Sequence, residues 1–124
     1  MEFEFATAGR IVFGAGAARR IGTEVAALGR RAMVVTGARL ECSAELRRQL
    51  EQHHVMHTLF QVSGEPTTDT VKAGVEHAGD FGCNVVVGMG GGSVIDTGKA
   101  IAAMLANGGD LMEHLEVIGR ARPL

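Results

Sequence analysis

The stretch VVVGMGGGSVIDTGKAIAAMLA, residues 85–106, constrains the fold more than any other part of this chain. A run of valines leads straight into Gly88, Gly90, Gly91 and Gly92, and a helical pattern starts directly behind them. Glycine loses more backbone freedom on folding than any other residue and offers no side chain to pack. Four of them within five positions mark a turn whose backbone something approaches closely. A buried strand, a sharp turn and an amphipathic helix, in that order, form the building unit of a parallel sheet.

The same alternation precedes this stretch. AMVVT (32–36) is a short apolar run closed by Gly37, and Ser43 is placed to cap a helix carrying Leu46 and Leu50 on one side. MHTLFQV (56–62) again reads as a strand, followed by the loop SGEPTT. Thr68 opens a helix with Val71, Val75 and Ala78 inward, ended by Gly79 and Gly82. Upstream, Ala18, Ile21, Val25 and Leu28 recur at helical spacing, with Gly29 as the stop. Phe3 and Phe5, then Ile11 and Phe13, alternate around Ala8-Gly9 and predict two short strands. The last helix runs over 94–106 and ends at Asn107-Gly108-Gly109. Apolar strands joined by helices predict an α/β, Rossmann-like fold with a mostly parallel sheet and helices on both faces. The 124 residues suit one domain. The closing EVIGRARPL forms no obvious element and reads as a chain cut mid-course.

Composition excludes several functions. Hydrophobic residues make up 46% and charged residues 21%, the balance of a folded chain. Net charge is −2, and Arg19-Arg20, Arg30-Arg31 and Arg47-Arg48 are scattered pairs rather than a basic face, so no nucleic-acid partner is expected. No apolar stretch approaches a membrane span and the start resembles no secretion signal, so no membrane partner is expected. Cys42 and Cys83 sit in no metal or redox spacing, which suits reduced thiols in the cytoplasm.

In such a sheet, ligands bind outside the carboxyl ends of the strands. The glycine run lies at one of those ends. Ser93 is a good N-cap and Asp96 completes a Ser-x-x-Asp box. Positions 94, 95, 98, 101, 102 and 105 are apolar or glycine and dock the helix along one face. Its first turn then presents bare N–H groups and the positive end of the helix dipole, an anion site. A β-carbon at 90–92 would hold a phosphate away. Lys99 opposes the dipole at this end; it leans back toward the loop or pairs with Asp96. The plainer alternative, a tight turn and nothing more, needs one or two glycines rather than four. A Walker loop is excluded by Ser93 and Ala100, and the ordinary G-x-G-x-x-G fingerprint fails at Ser93 and at Arg19.

Gly90-Gly91-Gly92-Ser93-x-x-Asp96-x-x-Lys99 resembles the GGGSxxDxxK signature of iron-containing (group III) alcohol dehydrogenases. RIVFGAGA (10–17), VVTG (34–37), SGEPTTDTV (63–71) and NGGDLMEHLEVIGRARPL (107–124) resemble further family segments in the same order. The resemblance implies the cofactor domain of the dehydroquinate synthase-like fold, binding NAD or NADP. It also implies a following helical domain, outside residues 1–124, that supplies an aspartate and three histidines to iron or zinc. Residues 1–124 are then a truncated NAD(P)-binding domain, with no catalytic or metal-binding residue of their own. The complete enzyme would pass hydride between the nicotinamide and a small metal-bound alcohol or aldehyde, as a dimer or other homo-oligomer.

Carried over, Gly91, Gly92 and Ser93 hold the pyrophosphate, Gly90 gives clearance, and Asp96 and Lys99 order the loop. Many NAD-using relatives have an acid where this chain has Gly37. Either its absence leaves room for NADP(H), with Arg39 pairing with the 2′-phosphate, or Gly37 simply ends the strand and Arg39 is exposed surface. Glu65 replaces an asparagine common in the family, so that residue's contact is not carried over. Maleylacetate reductase, glycerol dehydrogenase and dehydroquinate synthase are related alternatives; Asp96 tells against the first, and the others differ around Ser93. A non-catalytic nucleotide-binding or interaction module is the alternative from outside the enzymes.

His53, His54 and His57 form an HHxxH cluster, but a helix ending near 53 and a strand starting near 56 send them apart, so no metal is assigned. His114 and Glu113 read as surface. No Ser/His/Asp or Cys/His arrangement has supporting context.

Overall fold

The structure, a computed structural model, describes residues 1–2, 8–115 and 119–123. Its centre is a parallel sheet of β1 (Arg31–Thr36), β2 (Met56–Gln61) and β3 (Val85–Met89) in the order β2-β1-β3. Four helices accompany it: α1 (Ile21–Leu28), α2 (Ala44–Gln52), α3 (Thr68–Phe81) and α4 (Gly92–Asn107). Short 3-10 turns cover Ala17–Arg20, Leu40–Ser43 and Leu111–Glu113.

β1 is the middle strand, and its alternation builds both faces of the core. Met33 and Val35 join Val62, Val71, Ala78, Val94 and Ile101 beneath α3 and α4. Ala32 and Val34 join Val25, Leu46, Leu50 and Val87 beneath α1 and α2. All four β1 residues are fully buried, which is why AMVVT reads as a continuous apolar run. The expected α/β sheet with helices on both faces is the fold observed.

Local chemistry sets the boundaries. Asn84 Oδ1 accepts from the amides of Arg30 (3.1 Å) and Arg31 (3.0 Å), tying the start of β1 to the start of β3. Thr67 Oγ1 accepts from Thr70 N at 3.1 Å and caps α3, and Gly82 ends that helix in the left-handed region at φ 71°.

Away from the glycine turn and α4, these expectations differ from the structure. Residues 11–13 are not a strand: Ile11 and Phe13 are 75% and 100% exposed. Alternation supplies a face but no hydrogen-bonding partner, and none is present among the described residues; the Phe3–Phe5 half of that hairpin lies outside them. Leu28, the last residue of α1, is exposed rather than packed with Gly22 and Val25. Ser43 precedes α2 without capping it; its Oγ donates instead to Leu40 O at 2.7 Å, closing the 3-10 turn.

Candidate functional site

β1 and β3 are neighbours, with Thr36 opposite Met89 at their carboxyl ends. From there the chain leaves toward α2 on one face and toward α4 on the other. This divergence is the switch point at which open α/β sheets form a crevice. A cleft of about 280 Å³ lies there, with Gly37, Arg39 and Cys42 on one wall and Met89, Gly90 and Gly91 on the other. Gln61 Nε2, at the end of β2, donates to Ala38 O at 3.0 Å and holds the first wall in place.

The glycine turn starts its helix earlier than the sequence suggests. α4 begins at Gly92, and Gly91 is the N-cap, extended at φ −78° and ψ −172°, without a side-chain cap. The Ser93–Asp96 capping box is therefore corrected: Ser93 already belongs to the first helical turn, so its side chain cannot reach forward as a cap does. Gly91 O accepts from both Val94 N and Ile95 N at 3.1 Å. The amides of Gly91, Gly92 and Ser93 donate to no acceptor among the described residues. They stand at the positive end of a 16-residue helix.

The four glycines separate by what surrounds them. A β-carbon on Gly90 would come within 2.8 Å of Val94 Cγ2, and one on Gly88 within 3.5 Å of the α4 backbone at Ile95. Packing inside the chain accounts for Gly90, whereas the distance at Gly88 is ordinary van der Waals contact. At Gly91 and Gly92 a β-carbon would meet nothing within 4 Å, and neither residue has a positive φ. Neither internal packing nor backbone geometry requires glycine at 91 and 92. What their bareness does is leave adjacent free amides open to an approaching group.

Asp96 and Lys99 pair with each other at 3.2 Å on the solvent side of α4, 64% and 73% exposed. They do not line the cleft. The buried face of α4 is Val94, Thr97, Gly98, Ile101 and Met104, so Ile95 and Ala102 point to solvent, against the expected set. Thr97 is accommodated because its hydroxyl donates back to Ser93 O at 2.7 Å. Cys42, Met89 and Gln61 were not among the expected site residues. Their only signal was position just beyond a strand's carboxyl end or at it.

The histidines do diverge. His53 Nε2 lies 3.3 Å from Thr23 Oγ1, His54 occupies a left-handed turn, and His57 sits on β2 with its ring 3.9 Å from Glu51. Among the described residues no group of three or more His, Cys, Asp or Glu is placed to hold a metal. No helix among them is long and apolar enough to cross a membrane.

The family model for iron-containing alcohol dehydrogenases matches residues 8–124, and the chain belongs to that family. It is 31% identical over 122 residues to the sulfoacetaldehyde reductase of Bilophila wadsworthia, covering 94% of this chain and 32% of that protein. It is 30% identical over 118 residues to the NAD-dependent methanol dehydrogenase of Bacillus methanolicus, covering 91% of this chain and 31% of that one. Among solved structures, NADH-dependent butanol dehydrogenase A of Thermotoga maritima superposes with a TM-score of 0.77 at 29% identity, over 90% of this chain and 30% of its own. Sulfoacetaldehyde reductase of Bifidobacterium kashiwanohense, in complex with NAD+, does so with a TM-score of 0.75 at 28% identity, over 94% of this chain and 32% of its own. The chain thus spans about a third of the length of these relatives.

Proposed function

We propose that these residues form the dinucleotide-binding part of a nicotinamide-dependent alcohol dehydrogenase that interconverts small alcohols and aldehydes. The observation that carries the reading is the pair Gly91 and Gly92: no β-carbon, no internal reason for glycine, and free amides at a helix amino end. A diphosphate fits that chemistry. The amides of Gly91, Gly92 and Ser93 bind it, Gly90 lets Val94 pack close beneath, and the adenosine end lies along Gly37 and Arg39. The bound coenzyme supplies the hydride acceptor or donor; this chain's residues hold and orient it. Asp96 and Lys99 act on the loop only indirectly, as an exposed pair one turn away.

Relatives named for sulfoacetaldehyde, methanol and butanol support the alcohol and aldehyde reading over maleylacetate reductase or glycerol dehydrogenase. Their names also favour NAD(H). NADP(H) is accommodated as well, because Gly37 presents no carboxylate to a 2′-phosphate and Arg39 stands beside it. Iron or zinc belongs to a helical domain outside residues 1–124, the whole enzyme being a cytoplasmic homo-oligomer. Calorimetric titration of the folded protein with NADH and NADPH tests the coenzyme site. Saturable binding is expected; no heat of binding at millimolar coenzyme would overturn the reading.

A further inference from the structure

The loop between β2 and α3 brings a carboxylate to the amino end of α4. Ser93 Oγ donates to Glu65 Oε1 at 3.4 Å, across a sequence separation of 28 residues. The loop is anchored at both ends: Val62 N donates to Thr36 O at 2.8 Å, and Thr67 caps α3. Between them Gly64 takes a positive φ of 74° and Pro66 fixes the backbone behind Glu65. Glu65 therefore reaches Ser93 from a held position. Among the described residues it has no salt-bridge partner, so its charge is not neutralised by a neighbouring cation.

An anion at a helix amino end is stabilised by the same dipole and donors that would grip a phosphate. We infer that Glu65 is an affinity-lowering residue that competes with the coenzyme's diphosphate for the Ser93 hydroxyl and the amino end of α4. Resting on the coenzyme-site reading above, this makes Glu65 a tethered rival to the ligand. Coenzyme binding must move the carboxylate aside or tolerate it as a like charge. Either way Glu65 loosens the grip on the diphosphate. A residue that merely shaped the loop would leave the affinity unchanged when its charge is removed, and one that accepted a hydrogen bond from a coenzyme hydroxyl would weaken it.

The test is titration with NADH, followed by nicotinamide fluorescence in the presence of EDTA, on the protein and on Glu65→Gln. Circular dichroism verifies that both are folded. The Gln variant keeps the side-chain shape and removes the charge. Its Kd is expected to be lower by about three- to tenfold at low ionic strength, the scale of one like charge several ångströms away in a wet site. At about 0.5 M salt the difference should shrink, because screening acts on the repulsion. A Kd in Glu65→Gln equal to or weaker than that of the parent overturns the competition while leaving the coenzyme site intact. Absence of NADH binding by both proteins overturns the site itself, and the competition with it.

Discussion

Gly74 of α3 faces Ile101 of α4 so closely that a β-carbon on the glycine would collide with the isoleucine side chain and come within 3.2 Å of Phe60 Cε1. Ile101 is fully buried, so it has no free space to retreat into. This contact sets the distance between the two helices on one side of the sheet, and with it where α4 presents its amino end. Gly74→Ala is expected to destabilise the fold by about 1–2 kcal/mol in urea unfolding, overpacking outweighing the better helix propensity of alanine. In an Ile101→Val background the same substitution should cost less, since the nearer of the two clashing carbons, Cδ1, is gone.

Gly91→Val places a branched side chain where the structure has open space. It should therefore leave far-UV circular dichroism unchanged. Coenzyme binding is expected to disappear, because the bulk stands over the free amides. Retained affinity would show that close approach at this position is not required.

Arg39 is exposed beside Gly37 at the cleft and joins no salt bridge among the described residues. Arg39→Ala should weaken NADPH binding by about tenfold, the scale of one charge-assisted contact to phosphate, and leave NADH within about twofold. Equal losses for the two coenzymes would remove the 2′-phosphate from its role.

Ser93 and Asp96 do not cap α4 in the structure. Ser93→Ala and Asp96→Ala should each change stability by less than about 0.5 kcal/mol, against the roughly 1 kcal/mol of a working cap. Ser93→Ala should still alter coenzyme affinity, which separates a ligand contact from a structural one.

Two surface carboxylates set an acid limb. The Arg10 guanidinium hydrogen-bonded to Glu24, with Arg20 nearby, holds that carboxyl below its usual range; Arg48 and then Gln49 do the same to Glu45. A depressed folded pKa contributes stability above the unfolded pKa and loses it as pH falls through the folded one. Stability should therefore drop as pH falls through and below the ordinary glutamate range. The drop should be shallower in Arg10→Gln and in Arg48→Gln, read from urea midpoints.

The three strands and the four helices could be read from the chain, to within a few residues at their ends, because their cues are local. Continuous apolar runs mark buried parallel strands, and Thr68 and Gly82 bound α3 as read, while Gly79 lies inside it and Thr67 is its cap. Where the cue needed a distant partner, local reading failed. Among the described residues Ile11 and Phe13 alternate like a strand but have no sheet edge beside them, and Ser93 matches a cap pattern two residues too late. The glycine run was visible; which of its members serves packing was not, since Val94 decides that for Gly90 and nothing decides it for Gly91.

Sequence alone determined the kind of fold and the family, because hydrophobic period and glycine spacing are properties of neighbouring residues. Tertiary structure alone decided the strand order β2-β1-β3, the cleft between Gly37 and Gly91, and the meeting of Glu65 with Ser93. Those depend on which strands pair and which loops then lie together, relationships between residues far apart in the chain that no local pattern records.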